Sequence, residues 1–220
     1  MGVSLELANA ALILLDLQND FIHPDGIFAK KGRPAFKSPE ALSAFVAKTQ
    51  AMVDHMHAQG RPVIVVKTAF RPDFIDCSFG PDWAERTLGQ KDGFLVEGTW
   101  GAELIDGITL SPEDTVIIAK GHSAFVGNFL DRFLSNIGVE QLMIVGGPCE
   151  SALSDTSRDG GALGYDTFVA SDLTFPEGSR YRLQSDPIKS GQFLMMDAFP
   201  NGGKLYAKGR SAFLVIDMQN

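Results

Sequence analysis

The feature that most narrows what this chain can fold into is the run Ala10-Ala-Leu-Ile-Leu-Leu15, unbroken in its apolar character and closed by Asp16. A strand with one wet face alternates apolar with polar residues. A short continuous run reads instead as a strand covered on both faces, the situation of a parallel sheet between two layers of helices. Three more segments share this character: Pro62-Val-Ile-Val-Val-Lys-Thr68, Asp114-Thr-Val-Ile-Ile-Ala-Lys120 and Gln141-Leu-Met-Ile-Val145. A further strand is expected over Tyr165 to Ala170. Helical segments separate them. Ser38-Pro-Glu supplies an N-cap, a proline at the first helical position and an acid in the first turn, and Gly60 closes that helix. Another helix is expected from about Val126 to Asn136, stopped by Gly138, and a third after the turn that begins at Gly146. The alternation predicts an α/β fold: a Rossmann-like open parallel sheet of about six strands with helices on both faces. Ligands of such sheets sit at the carboxyl ends of the strands, where Asp16, Lys120 and the Gly146–Ala152 turn all fall.

Between the second and third strands, residues 69 to 100 carry proline, glycine, two tryptophans and several phenylalanines. A loop this long inside a compact domain is usually functional, and it is expected to wall the pocket. At the other end, Ala212-Phe-Leu-Val-Ile-Asp-Met-Gln-Asn220 matches Ala11-Leu-Ile-Leu-Leu-Asp-Leu-Gln-Asn19 without a gap, with four of nine positions identical. One domain is therefore expected over residues 1–208, with 209–220 read as the start of a second, truncated copy. An ordinary strand with a chance resemblance stays open beside that reading.

Composition excludes some functions. The 220 residues are 45% hydrophobic and 21% charged, in the ordinary globular range, and no apolar run approaches a bilayer span. A net charge of −8 with scattered Lys and Arg speaks against a nucleic-acid partner or an anionic membrane surface. Two cysteines, Cys77 and Cys149, provide no disulfide framework, and with no targeting segment recognised a cytoplasmic location is expected.

Three stretches taken together resemble the isochorismatase-like (cysteine hydrolase) superfamily. They are Leu14-Leu-Asp-Leu-Gln-Asn-Asp-Phe21, Lys120-Gly-His-Ser-Ala-Phe125 and Gly146 through Tyr165. Glu97-Gly-Thr-Trp-Gly-Ala-Glu-Leu104 is similar to the family segment that precedes the lysine strand. The resemblance implies an Asp–Lys–Cys triad that hydrolyses C–N bonds of amide or ureido compounds, with no cofactor and with a homo-oligomeric assembly. Asp16 would transfer protons, and Lys120 would hold its carboxylate and lower the thiol pKa. The chemistry is sound, because a thiolate is stabilised by a neighbouring cation and a helix N-terminus.

Two departures qualify it. Aligned on Thr156, Asp159 and Gly164-Tyr165, the nucleophile position falls on Ala152, and a methyl group cannot attack a carbonyl. Cys149, three residues earlier, could serve only in a changed register. The family's oxyanion hole uses the N–H of the nucleophile residue and that of the residue four before it, after a cis peptide. Here the earlier residue is Pro148, which favours a cis bond after Gly147 but has no N–H to donate. A lost donor of this kind costs about 3 kcal/mol of transition-state stabilisation. Three readings stay open. Ala152 is a Cys→Ala replacement in an amidase; or it is native, as in the isochorismatase branch, where Asp16 would protonate a vinyl ether; or the domain binds a small molecule without catalysis.

Other residues are weaker candidates. Phe21, Trp83 and Phe125 are expected to line a pocket for a flat substrate, although large aromatics are more often core. Arg71 is a candidate partner for a substrate carboxylate. His55 and His57 lie two apart on a helix and point to different faces. The Asp-x-His metal pattern of the nicotinamidase branch is absent after the second strand, where Thr68-Ala-Phe-Arg-Pro-Asp73 stands, so no catalytic metal is expected.

Overall fold

The computed structural model describes residues 7–80, 92–177 and 193–196. Six strands form one parallel sheet: β1 (Ala10–Leu15), β2 (Val63–Thr68), β3 (Thr115–Ala119), β4 (Gln141–Gly146), β5 (Asp166–Thr174) and β6 (Phe193–Met196). Their order across the sheet is β3-β2-β1-β4-β5-β6, and every pairing is parallel. The chain grows to one side from β1 to β3 and then returns to add β4 on the other side. The connections leaving β1 and β4 diverge there, and a crevice opens between them.

Alternate residues of each strand serve opposite layers, as the pleat requires. Leu12 and Leu14 of β1 join Val63 and Val65 of β2 in a cluster with Phe45, Met52 and Met56 of α3 (Pro39–Ala58). Ile13 and Leu15 join Ile64 and Val66 in a second cluster with Leu130 and Leu134 of α4 (Leu130–Asn136) and with Leu153. The sheet is thus covered on both faces, which is why β1 and β4 show no polar side chain along their central positions. No described helix is long and apolar enough to cross a membrane.

The ends of α3 follow from local chemistry. The Ser38 hydroxyl accepts the Ala41 N–H at 3.2 Å, Pro39 takes the first position, and Gly60 leaves with φ of +61°. The next helix starts later than its sequence suggests, at Leu130 instead of Val126. Asn128 is the cause: its amide donates to the Ala124 and Val126 carbonyls and its oxygen accepts the Leu130 N–H at 2.9 Å. These local bonds hold residues 126–129 in turns. Two short helices after β1, α1 (Asn19–Ile22) and α2 (Ile27–Lys30), were not foreseen, nor was the extension of β5 from Ala170 to Thr174. The proposed second copy at 209–220 lies outside the described residues.

Candidate active site

At the end of β1 the backbone of Asp16 turns into the left-handed region, with φ of 53°, while its N–H still donates to Val66 O at 3.0 Å. This twist ends the strand and leaves the carboxyl at the sheet's rim, where Asp tolerates such a backbone better than most residues. Asp16 is only 2% exposed. The Thr68 hydroxyl donates to its Oδ1 at 2.8 Å, and the Thr68 backbone adds a second hydrogen bond. Burial outweighs both hydrogen bonds and pushes the carboxyl pKa up to about 8. The acid therefore keeps its proton at neutral pH.

Thr68 is itself fixed by Gln18. The Gln18 side chain accepts the Thr68 N–H and donates to the carbonyls of Thr68 and Ala102, each at 2.8 Å. One buried amide thus joins the end of β2 to the segment around Trp100 and holds the hydroxyl that faces Asp16.

The opposite wall begins at the end of β4. Gly146 has φ of 112°, and a Cβ there would stand 2.0 Å from the Leu15 carbonyl oxygen, so only glycine fits between β1 and the turn. The Gly147-Pro148 peptide is cis. The N–H groups flanking Pro148 are both committed to carbonyls, Gly147 to Leu15 and Cys149 to Phe175. A π-helical turn, Cys149–Leu153, leads into α5 (Ser154–Leu163). Ala152 sits on this turn, 2% exposed, and lines the same cavity as Asp16.

That cavity measures about 420 Å³. Its walls are aromatic, with Phe21, Phe28, Phe70, Phe79 and Phe94, and its polar groups come from Asp16, Thr68, Arg33, His122, Glu150 and Ser151. Phe21 meets Phe28 and Phe94 edge-on at 5.0 and 5.3 Å, and Phe28 stacks on Phe94 at 5.1 Å. A largely apolar cleft with a few converging polar groups is the ordinary form of a small-molecule site.

Several expectations need correction. Lys120 does not hold Asp16: its ammonium donates to Ala69 O at 2.7 Å and pairs with Asp76 at 2.6 Å, and it is not part of the cavity wall. Despite partial burial, Lys120 and the Arg71 N–H keep the Asp76 carboxyl below its usual range. Cys149 is absent from the wall as well. It packs in the α4-side core, burial raises its thiol pKa, and a hydrogen bond engages the thiol with Thr174, so it lacks the access and the thiolate character of a nucleophile. Arg71 is exposed and bound in a two-pronged pair to Asp73 at 3.0 and 2.8 Å. Phe125 stacks over Tyr165 and packs against the α4-side core instead of the cavity. Trp83 lies outside the described residues. Phe28, Arg33, Thr68, Phe79, Phe94 and Glu150 were not singled out from the sequence, because each reaches the cavity only through the folding of loops or strand ends. Among the described residues no group of three or more His, Cys, Asp or Glu is placed to hold a metal ion.

A parallel sheet whose first strand ends in an acid, on one cavity with the helix-initiating turn after its fourth strand, is the fold and site of this chain, and proteins it is similar to are hydrolases. The isochorismatase domain model matches residues 10–176, and the chain belongs to that family. Ureidoacrylate amidohydrolase RutB of Azorhizobium caulinodans is 26% identical over 81% of this chain and 82% of its own length. A probable inactive nicotinamidase of Arabidopsis thaliana is 30% identical over 71% of this chain and 75% of its own. Among solved structures, N-carbamoylsarcosine amidase of Thermoplasma acidophilum superposes with a TM-score of 0.62 at 26% identity, covering 80% of this chain and 87% of that one. An isochorismatase family protein of Desulfovibrio vulgaris gives 0.63 at 28% identity, covering 77% and 84%.

Proposed function

We propose that the cavity takes a small amide or ureido compound, and that its C–N hydrolysis is governed by residue 152, where alanine withholds the nucleophile. One observation carries this reading: Asp16, with its protonated carboxyl, and Ala152 share the wall of a single aromatic cavity at the switch point of the sheet. The amidohydrolase relatives supply the substrate class.

Asp16 suits proton traffic with a thiol. Its pKa of about 8 lies close to that of an ordinary cysteine, so transfer in either direction is nearly balanced. With cysteine at 152, Asp16 in its ionised form would take the thiol proton while sulfur bonds to the carbonyl carbon. It would return that proton to the nitrogen as the C–N bond breaks, and water would then hydrolyse the thioester. With alanine the first bond cannot form. The present chain binds such compounds, and the covalent route is closed.

Ala152→Cys is the test. Against ureidoacrylate, N-carbamoyl amino acids and nicotinamide, the variant should release ammonia at least about a hundredfold faster than the parent chain on one of them, a gain typical of restoring a reacting group. No gain on any of them contradicts the reading. A second reading is favoured by the same protonated Asp16, which could protonate a vinyl ether without any thiol; turnover of isochorismate by the parent chain, lost in Asp16→Asn, would support it.

A further inference from the structure

Among the described residues, Arg33 is the only Lys or Arg on the cavity wall. Its N–H donates to the Phe28 carbonyl at 2.9 Å, closing a turn that folds the side chain back over its own loop. The guanidinium carbon lies 4.7 Å from the centre of the Phe28 ring, and that ring is in turn stacked on Phe94. A cation on an aromatic face is held in place while its N–H edges stay open to a ligand. Among the described residues Arg33 makes no ion pair, in contrast to Lys31, Lys48, Lys67, Arg71, Lys120 and Arg158. The guanidinium thus stands at the cavity with no ion pair to a described residue.

The two acids on the wall differ in what they do to an anionic ligand, and so bear on its orientation. Asp16 is neutral at pH 7 and does not repel an anion. Glu150, on the turn that carries Ala152, does, and it can instead accept N–H groups.

We infer that Arg33 is a specificity residue that anchors a carboxylate, so that the ligand class is a ureido or amide acid, its carboxylate on Arg33 and its C–N group toward Asp16 and Ala152. The inference rests on the proposed amide-type pocket and narrows its substrate class. Arg71, the residue whose type suggested this role in the sequence, is already satisfied by Asp73, and Arg33 takes it over.

The test is an NMR titration of the ¹⁵N-labelled chain at pH 7 with three probes: 3-ureidopropionate, its primary amide, and hexanoate, a carboxylate without the ureido group. The parent chain should bind 3-ureidopropionate at least about tenfold more tightly than the amide, the scale of one charge-assisted two-pronged pair. Arg33→Gln should abolish that preference, with an amide spectrum as dispersed as the parent's showing that the variant is folded; Arg33→Lys should keep part of the preference. Equal binding of acid and amide by the parent chain, a preference that survives Arg33→Gln, or no binding of any probe overturns the anchor. Hexanoate bound as tightly as 3-ureidopropionate, and dependent on Arg33, supports the anchor while contradicting the ureido pocket, so the two failures are told apart.

Discussion

Two acids at the exit of β1, Asp16 and Asp20, are equally hidden, at 2% and 3% exposure, yet they live in different surroundings. Asp20 receives the N–H of Leu95 at 2.8 Å and that of Ile27 at 3.3 Å. Gly101 presses on it so closely that a Cβ there would stand 2.2 Å from Oδ2. The loop after α1 and the distant segment around Leu95 are tied at this one carboxyl. Asp16 is held through Thr68, by its hydroxyl and its backbone, and also lines the cavity. A buried acid that gathers backbone donors from separate loops fastens them together; one held from a single residue beside a cavity is left to exchange a proton.

The largest expected effect is on stability against pH. Asp16 holds its proton more tightly folded than unfolded, where its pKa is near 3.8, so its contribution is fullest below about pH 4 and is lost progressively up to about 8. Urea unfolding from pH 4 to 9 should show a fall of several kcal/mol that Asp16→Asn flattens. An identical slope in parent and variant would erase the distinction between the two acids.

Next in size, Asp20→Ala strands two backbone N–H groups and should lower stability by about 3 kcal/mol at pH 7 in the same assay. Asp16→Asn should lose nothing there. Equal losses would mean that both acids are structural.

The smallest effect sharpens the point. Lys120→Met breaks the ion pair with Asp76 and should cost about 1 kcal/mol. It should leave the Asp16 titration where it was, since Lys120 serves Asp76. A clear rise of the Asp16 pKa in that variant would restore the Asp–Lys partnership that the sequence suggested.

The framework was legible because it is written in short-range pattern. The unbroken apolar runs announce β1, β2, β3 and β4, and Ser38-Pro39 announces α3. Asp16 and the Gly146–Ala152 turn were legible for the same reason, being the residues that end such runs. What failed was partnership. Nothing in the string ties Lys120 to Asp76, a loop residue with no periodicity around it, or brings Arg33 to the aromatic wall. Those pairings arise only when the connections after β1 and β2 fold over the rim. The aromatics erred in kind: Phe21 and Phe125 look alike in sequence, yet one lines the cavity and the other stacks on Tyr165 in the core.

The most direct measurement is the titration of the Asp16 carboxyl itself, followed by ¹³C NMR on aspartate-labelled protein and assigned by its loss in Asp16→Asn. Its resonance should move with a midpoint at about 8. A midpoint near the ordinary 3.8 would mean an ionised, charge-compensated acid and would contradict the account.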